Sequence, residues 1–161
     1  MTLKTLAARA GRRLKRARAR LVSAESCTGG WAAQAVTSVA GSSGWFERGF
    51  VTYSNAAKQE LLGVRKSTLR KHGAVSEETA REMAAGALAR SRGTVSLAVT
   101  GVAGPAGGSA AKPVGTVCFA WAGKGGLQRS ETRRFRGGRE AVRRQSVIRA
   151  LEGVLELLEG A

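Results

Sequence analysis

The sequence predicts an α/β fold: a single three-layer α/β/α domain with a central mixed sheet, spanning residues 1–161. Three observations carry that expectation. The chain has 161 residues, 43% of them hydrophobic, which is enough for one sizeable core and too few for two. Short β-branched runs are interspersed with helical patterns, the arrangement that layers helices over a sheet. No internal repeat or linker-like stretch divides the chain.

Residues 2–18 set Leu3, Leu6, Ala7, Ala10 and Leu14 at helical spacing among basic residues, predicting an amphipathic opening helix. An acid-free, Arg-rich start also resembles an organelle transit peptide, but it runs into the core pattern without a linker, so the helix is preferred. "RLVSAES" follows as a short buried strand ending at Ser26, and Gly29-Gly30 open an alanine-rich helix, "WAAQAVTSVAG", stopped by Gly41. "FERGFVTYS" is β-rich. Ser54 can cap a helix beginning at Asn55, with Lys58 in its first turn or just after it.

A short connecting helix near Ser67–Lys71 precedes "VSEETAREMAAGALARS", which has Ser76 as N-cap and acids in its first turn. "TVSLAVTG" is a strand that breaks at Gly101. The glycine-rich "GVAGPAGGSAAKPVG" then leads to a second strong strand, "TVCFAWAG", and a loop of that length in a compact domain is usually functional or mobile. "LQRSETRRF" alternates as a third late strand. After Gly137-Gly138, a long final helix carries Val142, Ile148, Leu151, Leu155 and Leu158 on one stripe.

Composition excludes several functions. No stretch approaches the ~20 apolar residues that span a bilayer, and no secretory signal opens the chain, so a cytoplasmic protein without a membrane partner is expected. Two cysteines, Cys27 and Cys118, and one histidine, His72, give no zinc spacing and no disulfide framework; neither metal nor cofactor is called for. The 27 Lys+Arg against 11 Asp+Glu give a net charge of +16, which attracts phosphate-bearing ligands. Aromatic residues are 5% and do not interleave with the arginines, which leaves a nucleic-acid module as the runner-up to a small-ligand protein. Apolar stripes on two helices leave room for a homo-oligomer.

"ESCTGG" raises the central question. A side chain at a strand-to-helix junction is exposed at the sheet edge, beside free backbone N–H groups that can hold an oxyanion or a phosphate. The same residues can also form a tight turn in which Ser26 and Thr28 merely cap the helix, and both readings stand at this level. His72, in "RKHGA", reads as a helix-end surface residue, which leaves no histidine for a triad. The base that remains is a lysine, which must be neutral to accept a proton. Lys58 fits, because a helix N-terminus and small apolar neighbours both lower its pKa; Tyr53 could relay or orient the proton. Cys27 lacks an activating partner, and next to Ser26 on a strand end it should point into the core.

The glycine-rich loop fails both the Walker A and G-x-G-x-x-G patterns, but it can bring Thr100 and backbone amides to a strand end. Arg139 and Arg143, four apart, share one face at the start of the last helix, where phosphate would be favoured. Arg134, Arg136 and Arg144 read as solvated.

"AESCTGGWAAQAVTSVAGSSGWFERGFVTYSNAAKQELLGV", "HGAVSE", "TGVAGPAGG" and "KPVGTVCFA", in this order, resemble the CinA carboxy-terminal domain family from about residue 5 to the end. The resemblance implies hydrolysis of the carboxamide of nicotinamide mononucleotide in pyridine nucleotide salvage, with a serine-lysine amidase site. Carried over, the serine is Ser26, the lysine Lys58 and the tyrosine Tyr53. Thr28, Gly29, Gly30, Thr100, Gly101, Gly104, Arg139 and Arg143 would hold the substrate. Family members often carry acids where this chain has Ala106, Ala110 and Ala111, so no role falls to acids in that loop.

Overall fold

The computed structural model describes residues 1–160. Its elements run α1 (Leu3–Arg16), β1 (Leu21–Glu25), α2 (Trp31–Thr37), β2 (Phe46–Val51), α3 (Asn55–Leu62), α4 (Lys66–His72), α5 (Glu77–Ala89), β3 (Val95–Gly101), β4 (Thr116–Gly123), β5 (Gln128–Arg134) and α6 (Arg139–Glu159). The five strands form one mixed sheet in the order β2-β1-β3-β4-β5. β1 pairs parallel with β2 and β3, whereas β4 runs antiparallel to both β3 and β5.

Strand alternation sends successive side chains to opposite faces, so each buried strand feeds two cores. On one face Leu21, Leu97, Val99, Phe119 and Trp121 meet α1, α2 and α6; on the other Val22, Ala24, Ala98 and Ala120 meet α3, α4 and α5. The three-layer architecture with a mixed sheet is as the sequence predicts. The apolar stripes of α1 and α6 are covered by the chain itself, which removes the ground on which they favoured a homo-oligomer.

The caps at Ser54 and Ser76 follow the sequence, accepting from the backbone N–H of Ala57 and Thr79, and Thr2 caps α1 in the same way, accepting from Thr5. The second helix is a correction. It ends at Thr37 rather than Gly41, because the hydroxyls of Thr37 and Ser38 donate to carbonyls of its last turn, and a short 3-10 turn at Ser42–Gly44 follows. Close approach of α3 and α5 depends on Gly86, where a Cβ would overlap the Leu62 carbonyl. That contact fixes the height of α3, the helix carrying Lys58, over the sheet.

Candidate active site

The Ser26 N–H donates to Val99 O (2.9 Å), continuing the β1–β3 ladder one residue beyond β1. Alternation puts Ser26 on the α3–α5 face, in line with Val22 and Ala24, and sends Cys27 into the opposite core. Burial pushes the Cys27 thiol up to about 12, so it stays protonated. Thr100 lies beside Ser26 on the same face; its buried hydroxyl donates to Ala74 O (2.9 Å).

Lys58 is only 1% exposed although it carries an amine. Its Nζ lies 2.9 Å from Ser26 Oγ, 2.9 Å from Thr52 O and 3.2 Å from Tyr53 O, and it takes part in no ion pair among the described residues. Burial holds its pKa below the usual lysine range. As an ammonium it donates to all three oxygens. As a neutral amine it has two N–H groups, which the two carbonyls accept, and its lone pair is left facing Ser26 Oγ. The geometry therefore suits an amine that receives a proton from the serine.

The part of Tyr53 that meets this pair is its backbone carbonyl, which corrects the expectation of a phenolic relay. The ring is 63% exposed, and its hydroxyl accepts from Arg139 Nη2 at 3.3 Å. Arg139 also donates to Gly104 O (2.8 Å), which ties the glycine-rich loop to the start of α6. Gly101 is the last residue of β3, opposite Val117.

Thr28 is not a helix cap, nor is Ser26. Gly30, at φ +102°, stands at the cap position without a side-chain acceptor, and Gly29, at φ +59°, precedes it. The capping oxygen comes instead from Glu25, whose fully buried carboxylate accepts from Thr28 Oγ1 (2.6 Å), Ala32 N (2.8 Å) and Ala33 N (3.0 Å). Glu25 was invisible to cap-spacing rules because it lies seven residues before Ala32, across the turn. The N–H of Gly29 is bonded to Ser26 O (3.1 Å), whereas those of Thr28 and Gly30 have no acceptor among the described residues.

Arg143 Nε donates to Cys27 O (3.1 Å) and Nη2 to Thr28 O (3.2 Å), with the guanidinium 5.6 Å from the centroid of Trp31. Ser26, Lys58, Tyr53, Thr28–Gly30, Gly104, Arg139 and Arg143 thus form one connected cluster at the carboxyl ends of the parallel strands, where open α/β sheets bind ligands. The exposed cations Lys4, Arg9, Arg12, Lys15, Arg16, Arg18 and Arg20 lie on α1 and the segment leading into β1, outside this cluster. His72 ends α4 and pairs with Glu78 (3.3 Å), as a surface residue would. No helix of the described residues is long and apolar enough to cross a membrane.

The family model for the CinA C-terminal domain matches residues 3–158. A nicotinamide-nucleotide amidohydrolase, PncC, from Pseudomonas putida is 56% identical over 153 residues, covering 95% of this chain and 95% of that one. Its counterpart from Escherichia coli K12 is 52% identical over 150 residues, covering 93% and 91%. Among solved structures, a CinA superfamily protein from Klebsiella pneumoniae superposes with a TM-score of 0.96 at 38% identity over all of both chains. A competence/damage inducible protein from Agrobacterium tumefaciens gives 0.94 at 46% identity over 96% and 94%.

Proposed function

The chain belongs to the CinA C-terminal domain family, and from that premise we propose that it hydrolyses the carboxamide of nicotinamide mononucleotide, giving nicotinate mononucleotide and ammonia. The names of its relatives supply the substrate. The observation that carries the chemistry is the buried, carboxylate-free Lys58 amine 2.9 Å from Ser26 Oγ.

In the proposed reaction Ser26 Oγ attacks the carboxamide carbon while neutral Lys58 takes the hydroxyl proton. The tetrahedral oxyanion is met by free backbone N–H groups of the Thr28–Gly30 turn. Lys58 returns its proton to the amide nitrogen, the C–N bond breaks, and ammonia leaves an acyl ester on Ser26. Water, deprotonated by Lys58, attacks that ester; that proton passes to Ser26 Oγ as the acyl C–O bond breaks, and the carboxylic acid released loses its own proton to solvent, giving the carboxylate. Tyr53 sets Lys58 through its carbonyl, and its hydroxyl with Arg139 forms a polar rim for the ribose phosphate. Thr100, Gly101 and Gly104 wall the substrate on the β3 side. Pyridine nucleotide salvage in the cytoplasm is the proposed setting.

Ammonia release from nicotinamide mononucleotide by the purified protein tests the reading. Wild-type protein should form one nicotinate mononucleotide per ammonia, and Ser26→Ala should form neither; full turnover in Ser26→Ala would sink the serine mechanism.

A further inference from the structure

The turn that carries Ser26 has little regular bonding of its own. Only Gly29 N to Ser26 O (3.1 Å) and Trp31 N to Thr28 O (3.0 Å) join its backbone to itself and to the first residue of α2, and two of its five residues are glycines at positive φ. Its ends are tied by the backbone bonds Ser26 N to Val99 O and Gln34 N to Gly30 O (2.9 Å each), and side chains hold what lies between. Glu25 holds the start of α2 from below, and Arg143 takes the carbonyls of Cys27 and Thr28. Among the described residues neither Glu25 nor Arg143 belongs to an ion pair, so the charge of each is directed at the turn.

The consequence follows from peptide geometry. In a trans peptide the C=O of one residue and the N–H of the next lie in one plane and point in opposite directions. Arg143 reaches the turn from α6, which packs on the face opposite Ser26 Oγ. By drawing the Cys27 carbonyl toward α6, it turns the Thr28 N–H toward the face that holds Ser26 Oγ and Lys58. That N–H has no acceptor among the described residues. The guanidinium lies over the Trp31 ring, and two of its donors are already spent on carbonyls.

We propose that Arg143 is a positioning residue that aims the Thr28 N–H at the oxyanion, and is not a ligand for the substrate phosphate. The proposal rests on the serine-lysine reading above.

Steady-state kinetics with nicotinamide mononucleotide separate the two roles. Arg143→Ala should lower kcat by ~10²-fold, the scale of losing one oxyanion donor, with KM held within about threefold. Arg143→Lys keeps the charge but lacks the fork that spans two carbonyls, so its kcat should also fall; millimolar guanidinium should restore kcat to Arg143→Ala. A raised KM with kcat retained, or full activity in Arg143→Lys, would overturn the assignment in favour of phosphate binding. Thermal unfolding of both variants confirms that folded protein is compared, and Arg143→Gln replaces any that fails to fold. Full activity in Ser26→Ala would break the serine reading itself. An inactive Ser26→Ala beside an Arg143→Ala with wild-type kcat would break only this inference.

Discussion

Two cations are buried among the described residues, and they meet opposite fates. Arg149, in the middle of α6, is 8% exposed and hydrogen-bonded to two carboxylates, with a third, Glu152, 3.7 Å from Nη1: Nε donates to Glu131 (2.7 Å), Nη1 to Glu156 (2.6 Å) and Nη2 to both (2.8 and 3.0 Å). Hydrogen bonds donated to Glu156 and then Glu131 outweigh burial and raise its pKa above even the usual arginine range. Lys58, 1% exposed, has two carbonyls and a hydroxyl but no acid, and burial lowers its pKa. A buried cation with matched anions is held charged and serves as a fixed part of the scaffold. One without anions is pushed toward neutrality and can act as a base.

The difference can be broken from either side. Replacing Lys58 with Met keeps most of the stem and removes the amine; turnover of nicotinamide mononucleotide should fall by at least ~10³-fold, measured as ammonia release. Arg149→Leu should do the reverse. It removes the guanidinium that joins Glu131 and Glu156, which keep Arg133 and Arg129 as partners, and should cost about 1.5–3 kcal/mol in denaturant unfolding, with kcat of the folded fraction unchanged.

The pH profile sharpens the contrast without altering either residue. Lys58 accepts a proton only as the amine, which predominates above its pKa. Because that pKa is lowered, kcat/KM should rise with pH along a limb whose midpoint lies below the ordinary lysine value of about 10.4, then level off. A midpoint at or above that value, or activity that falls as pH rises through the limb, contradicts a neutral-lysine base. Arg149 remains protonated throughout this range and adds no limb of its own.

Much of this was legible in the chain because it depends on near neighbours. Ser54 capping Asn55–Leu62, and the place of Lys58 one turn in, are matters of spacing, as are the Ser76 cap and the stripe on α6. Strand alternation likewise separated Ser26 from Cys27. Contacts between residues far apart were not legible. Nothing local says that Arg143 ends on carbonyls 115 and 116 positions earlier, that Thr52 and Tyr53 turn their carbonyls to Lys58, or that Glu25 caps a helix beyond two glycines.

By itself, then, the sequence determined the layered α/β class, the order of elements and the capping serines, and it singled out the residues proposed here as nucleophile and base. Periodicity and capping act within a few residues, so they survive in a one-dimensional reading. Only the tertiary structure decided which groups meet, and with that the state of each charge. Whether a buried amine stays protonated depends on the anions within a few ångströms, and those are chosen by packing rather than by sequence distance. Lys58 and Arg149 are both basic residues within helices; the absence of a carboxylate beside one and the presence of three beside the other exist only in three dimensions.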